Sequence, residues 1–156
     1  MANTMRWRYG DTNPIMLPVG SATAIEIGDL LYLNSGDVLP ASALSDQGTL
    51  AATQEAFHDE FLGIAMQCSP VGSTEAIRIA TSGVFEFDCA SATFELGDLV
   101  GGSDAGAGTL GAQIVDGVAT ANLALGRCMK RVSPAATKVL VDVVSTVAKG
   151  GPQVAA

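Results

Sequence analysis

The residues best able to do chemistry come as a repeated pair. EIGDL at 26–30 sets Glu26 three residues before Asp29, and ELGDL at 95–99 repeats this with Glu95 and Asp98, 69 positions on. Two carboxylates at that spacing suit general acid–base work or a hard divalent cation. The glycine before each aspartate points elsewhere. Gly28 and Gly97 supply positive φ, and an aspartate side chain there hydrogen-bonds the local backbone, so each stretch reads as a turn that opens a strand. No DxDxDG calcium loop surrounds either pair. Gly28, Asp29, Gly97 and Asp98 are therefore expected to be architecture, with both aspartates outside any pocket.

The other reactive side chains are scattered. His58 is the only histidine; Glu55, Asp59 and Glu60 flank it and no GxSxG nucleophile is present, so it reads as a solvated helix residue. Cys68, Cys89 and Cys128 are odd in number and lack CxxC spacing, which reads as buried free thiols. GAGTLG at 106–111 fits GxGxxG, but glycine and serine precede it where a strand is needed, and Asp116-Gly117 interrupts the helix that should follow. No GxxxxGK[ST] phosphate loop occurs. Arg127–Arg131, RCMKR, is expected to pair with the acidic body of the chain or of a neighbouring copy. No catalytic residue, metal ligand or cofactor site is expected.

Composition points the same way. Of 156 residues 48% are hydrophobic and 15% charged, with 18 glycines, the profile of one domain rich in strands and tight turns. No apolar run approaches the roughly 18 residues of a spanning helix, and no signal-peptide pattern opens the chain, so no membrane is expected as partner and folding in a cytosol is. The net charge of −8 is unevenly placed: residues 11–116 carry fifteen acids against Arg78 alone, while both ends are basic. Such a body repels phosphates, which excludes non-specific nucleic-acid binding.

Elements must position these residues, and the pattern predicts an all-β domain with one short helix. Residues 1–20 hold Arg6, Trp7, Arg8 and Tyr9 ahead of Pro14 and Pro18 and read as an extended arm outside the domain proper. The four side chains from Arg6 to Tyr9 are the candidate interaction residues, and removal of residues 1–12 is expected to leave the domain folded. Residues 21–146 form the β domain, with a helix over 49–60 inside an insertion at 43–60, and 147–156 a flexible tail. Matched blocks recur in order: 25–31 with 94–100, 62–66 with 125–129, and Ser69-Pro70 with Ser133-Pro134, at offsets of 69, 63 and 64. They predict two similar halves, 21–88 and 93–146, with GGSDAGAG at 101–108 standing where the first half has its insertion.

The blocks GDLLYL, FLGIAM, IRIATSGVFEF, ELGDLV and LGRCMKRVSPAATKVLVDV, taken in order over about residues 20–145, resemble a family of small tailed-phage and prophage capsid decoration (cement) proteins. Some members of that family carry the label RecA-like recombinase, which the missing phosphate loop leaves unsupported here. The resemblance implies a small β-barrel or β-tulip-like fold and a homotrimer. It implies a place on the outer surface of the virion capsid, bound to the major capsid protein and stabilising the head against internal DNA pressure. The chain departs from the family in its arm and its 43–60 insertion. Other readings are a head–tail or tail component of the same viral origin and a small ligand-binding β-barrel.

Overall fold

The computed structural model describes residues 3–152. A short strand β1 (Trp7–Tyr9) comes first. The first half follows as β2 (Ile15–Pro18), β3 (Leu30–Asn34), β4 (Asp37–Pro40), helix α1 (Leu50–Asp59), β5 (Phe61–Ala65) and β6 (Ala76–Ala80). The second half is β7 (Ser82–Phe94), β8 (Leu99–Asp104), β9 (Leu110–Gly117), β10 (Ala124–Cys128) and β11 (Val132–Val144), closed by a one-turn helix α2 (Thr146–Lys149).

The two halves share one topology. Their sheets run β2-β6-β5-β3-β4 and β7-β11-β10-β8-β9, so the five strands of each half occupy the same places in the same order. In the second half β7 also pairs in parallel with β9, at Asp88–Ile114 and Cys89–Val115, and closes a five-stranded barrel. The first half makes the same closure with a single parallel bridge, Val19 to Val38. Closure removes sheet edges that would otherwise pair with other chains.

Strand alternation explains the core. On β3, Leu30 and Tyr32 face the large cluster that spans both halves, while Leu31 faces a smaller one inside the first half. On β5 the alternation shifts by one at the irregularity in its ladder with β3, so Phe61 and Ile64 join the former and Leu62 and Ala65 the latter. A sheet buried on both faces reads as a continuous apolar run, as FLGIA does. The helix α1 starts at Thr49, whose side chain accepts from Ala52 N at 3.1 Å. Its buried face of Thr53, Gln54 and Phe57 packs toward the second half. Phe57 lies edge-on to Tyr32 at 5.9 Å, and Gln54 Nε2 donates to Gly102 O at 2.7 Å. The first half's insertion thus docks on the second half's barrel.

Four expectations need correction. Residues 1–20 are not an outside arm: β1 pairs with β7 at Trp7–Phe85, β2 pairs with β6 through four residues, and Arg6 is 6% exposed. The peptide groups of an extended edge segment pair with the strand they meet, and only side-chain pattern, which is weak here, announces it in a sequence. The halves meet at Thr81, not at 88–93, because β7 runs unbroken through that stretch on its long ladder with β11 and is the counterpart of β2. GGSDAGAG is the β8–β9 hairpin, matching the β3–β4 turn; α1 corresponds instead to the 3-10 turn Ala121–Leu123. Residues 147–152 are held, since Ser145 is fully buried, caps α2 at Ala148 N and donates to Phe61 O; residues 153–156 lie outside the described residues.

Thr81 is gripped from both ends of the chain. Its N–H donates to Thr12 O at 2.9 Å, its hydroxyl donates to Asn13 O at 2.8 Å, and its carbonyl accepts from Ser145 N at 3.0 Å.

Candidate functional site

The two GD turns are built alike to within a few tenths of an ångström. In the first, Asp29 N donates to Glu26 O at 3.1 Å and Asp29 Oδ2 accepts from Glu26 N at 2.9 Å. In the second, Asp98 N donates to Glu95 O at 3.1 Å and Asp98 Oδ2 accepts from Glu95 N at 2.8 Å. Gly28 has φ +97° and Gly97 φ +90°. Each turn is tied to the same following strand: Gly28 N to Ala65 O and Ala65 N to Asp29 O, then Gly97 N to Cys128 O and Cys128 N to Asp98 O. Each aspartate therefore spends one carboxylate oxygen on its own turn, as expected of architecture. The two do not converge. Asp29 is buried; Asp98 is partly exposed and borders a shallow groove, contrary to the expectation that both stand outside any pocket.

Their surroundings differ because the N-terminal segment covers only the first. Asn3 Oδ1 accepts from Ile27 N at 2.9 Å and Thr4 N donates to Ile27 O at 2.9 Å. A methyl group added at Gly28 would stand 2.5 Å from Thr4 O, while one at Gly97 meets nothing within 4 Å. Gly97→Ala should therefore cost only the positive-φ strain of about 1–2 kcal/mol. Gly28→Ala should cost a further ~1–3 kcal/mol as the covering segment is displaced. Urea midpoints of the two variants check the difference.

Arg6 organises a buried polar network. Its Nη2 donates to Gln113 Oε1 at 2.9 Å and lies 3.2 Å from Asp88 Oδ2; its Nη1 donates to Glu86 O at 3.1 Å. Gln113 Nε2 in turn donates to Asp29 Oδ1 at 2.8 Å. The guanidinium carbon sits 5.7 Å from the Phe87 ring centre. Arg6 thus joins the first-half turn to β7 and β9 and is structural, whereas Arg8 reaches Glu86 at 3.2 Å on the surface. Trp7 and Tyr9 remain 41% and 49% exposed; the Trp7 indole N–H donates to Gly10 O at 3.0 Å. Of the four candidate interaction residues, three are on the surface and one is in the interior. Sequence reasoning misses Gln113 and Asp88. A lone glutamine in the otherwise apolar strand LGAQIV is the available signal.

Charge states follow burial and partners. Burial pushes the Asp29 carboxyl above its ordinary 3.8, against the lowering effect of its hydrogen bonds from Glu26 and Gln113. Asp88 is held below 3.8, first by the hydrogen bond from Lys138 Nζ at 2.6 Å and also by Arg6. The signs oppose. The stability that Asp29 contributes is present below 3.8 and is lost as pH rises through its raised folded value. That from Asp88 is present above 3.8 and is lost as pH falls through its depressed value. Asp88→Asn should flatten the acid limb of a stability–pH curve below pH 3.8, by less than about 1 kcal/mol because Asp88 is partly solvated. Denaturant midpoints taken between neutral pH and about pH 2 would check it.

The remaining candidates also find places. His58 is half-buried, not solvated: its Nδ1–H donates to Ala124 O at 2.7 Å, tying α1 to β10. Cys89 and Cys128 are buried and their thiols are pushed up by burial, while Cys68 is exposed. Arg131 Nε meets Glu95 at 2.9 Å, the pairing with the acidic body expected of RCMKR, and Arg127 Nη1 donates to the Gly97 carbonyl at 2.8 Å. A depression of about 310 Å³ gathers Arg127, Asp142 and Lys149, and burial raises the Asp142 carboxyl. Among the described residues no group of three His, Cys, Asp or Glu is placed to hold a metal. Comparison with models of known protein families, with curated proteins and with solved structures finds no match to this chain.

Proposed function

We propose that this protein is a capsid decoration (cement) protein of the tailed-phage kind. It binds the outer surface of the assembled head as a homotrimer, contacts the major capsid protein, and opposes the pressure of packaged DNA. One observation carries the reading. The sequence blocks that resemble the family fall on β3, β5, β6–β7, β8 and β10–β11 and on the GD turns that open β3 and β8, so the resemblance runs through the framework of both halves. Trp7 and Tyr9, with Arg8 between them, are the surface assigned to the capsid; Arg6 is not part of it, being committed to the interior. Half-exposed aromatic side chains give large contact area at little entropic cost. Three equivalent contacts per trimer raise avidity by roughly 10²–10⁴ where geometry lets all engage.

The test is to mix purified protein with undecorated tailed-phage heads and image them by electron cryomicroscopy. Added density at three-fold or quasi-three-fold positions is the expected result. Heads that stay bare at saturating protein would sink the proposal.

A further inference from the structure

The structural repeat makes the two GD turns comparable atom for atom, and among the described residues only the first is covered by another segment of the chain. Around the first, Asn3 and Thr4 satisfy both peptide groups of Ile27, and the Arg6 stem lies 3.3 Å from the position a Gly28 methyl would take. Around the second, Leu96 stands in place of Ile27 and is 69% exposed. Among the described residues nothing hydrogen-bonds its N–H or C=O, and the space over Gly97 is open. A peptide unit that is paired with the chain in the first half is thus left to solvent in the second.

We infer that the Glu95–Asp98 turn takes an extended, basic segment of a partner protein, laid over it as Asn3–Arg6 is laid over Glu26–Asp29. Backbone and charge both argue for that occupant. The free peptide groups of Leu96 match an extended strand, which recognises an exposed backbone through its own N–H and C=O. Beside the turn, a groove of about 320 Å³ is bordered by the carboxylates of Asp98 and Asp116 and has Phe94, Leu99 and Val118 in its lining. An arginine or lysine fits such a place, with its aliphatic stem on the apolar part and its cation between the acids. Arg6 itself pairs with a single acid, Asp88 on β7. The occupant comes from a different protein because every copy of this chain already spends its own Asn3–Arg6 on its first turn. This inference rests on the repeat and on the acidic groove beside the second turn, and does not depend on the capsid reading.

A peptide of sequence MANTMRWRY, containing the segment that fits the first turn, is the probe. Full-length ¹⁵N-labelled protein would be titrated with it and followed by amide chemical shifts. Saturable shifts at Leu96, Gly97, Asp98 and Asp116 are expected. The double variant Asp98→Asn/Asp116→Asn removes two exposed ion pairs, and a loss of roughly tenfold in affinity is expected. An asparagine side chain at position 98 keeps an oxygen to accept from Glu95 N, so the turn itself survives that change. A peptide carrying Arg6→Ala should be weakened similarly. Shifts confined to Ile27–Asp29, or no shifts up to millimolar peptide, would overturn the inference. So would shifts at Leu96 and Gly97 on concentrating the protein without peptide, since they would make a second copy the occupant.

Discussion

Arg6→Ala is expected to lower the unfolding free energy by about 3 kcal/mol, the cost of taking a buried guanidinium away from the polar groups packed around it. Gln113, 1% exposed, loses the donor to its Oε1, and the Glu86 carbonyl loses one partner. A hydrogen bond from a charged donor contributes about 1.5–3 kcal/mol. Asp88 suffers less, because Lys138 and water still reach it. For a chain of this length the loss amounts to roughly 6–12 °C in Tm. Arg6→Lys should recover only part of it, since an ammonium cannot serve Gln113, Glu86 and Asp88 together as the guanidinium fork does. Removal of residues 1–12 should be worse than the point change, because it also takes the β1 pairing and the Thr12 carbonyl that accepts from Thr81. Urea unfolding of the three variants checks the order, and a truncated chain as stable as the parent would refute it.

Gly63→Ala and Gly126→Ala are expected to be at least as damaging, each costing about 3 kcal/mol or more. These two glycines occupy equivalent places, 63 residues apart, in the matched LGIAM and LGRCM blocks. A methyl group at Gly63 would overlap the Ala80 carbonyl oxygen, and one at Gly126 the Asp142 carbonyl oxygen. Overpacking by a side chain typically costs about 1–3 kcal/mol because rotamers can give way. Here the obstacle is the backbone of the neighbouring strand, and relief requires parting β5 from β6, or β10 from β11. Losses of similar size at both sites, read from denaturant midpoints or from failure to accumulate folded protein, would show that the two halves depend on the same close approach. A neutral result at either would mean that the strands separate at little cost.

Much of this is legible in the sequence, for identifiable reasons. The GD turns are readable because positive φ and aspartate self-capping are local, and a local requirement leaves a local signature. The two-fold plan is readable because the repeat keeps its glycines at Gly63/Gly126, where backbone approach allows little else. The helix at 49–60 is readable from an alanine-rich run that follows Thr49. The role of Arg6 is not readable. An arginine beside an aromatic residue near a chain end looks like part of a surface recognition patch, and only the tertiary placement of Gln113, Asp88 and Phe87 turns it inward. The boundary between the halves is hidden for a related reason. Pairing partners far apart in sequence decide where a strand belongs, so β2 and β7 are recognisable as counterparts only once β6 and β11 are seen beside them. The emptiness of the second turn is equally non-local, since it depends on which of two matching turns the chain end happens to reach.

The grip on Thr81 has a mechanical side. Tension applied along the chain near residue 12 or near residue 145 arrives at the same residue, through Thr12 O and Asn13 O from one end and Ser145 N from the other. The load path between residues 12 and 145 thus runs through a small clasp at the joint of the two halves.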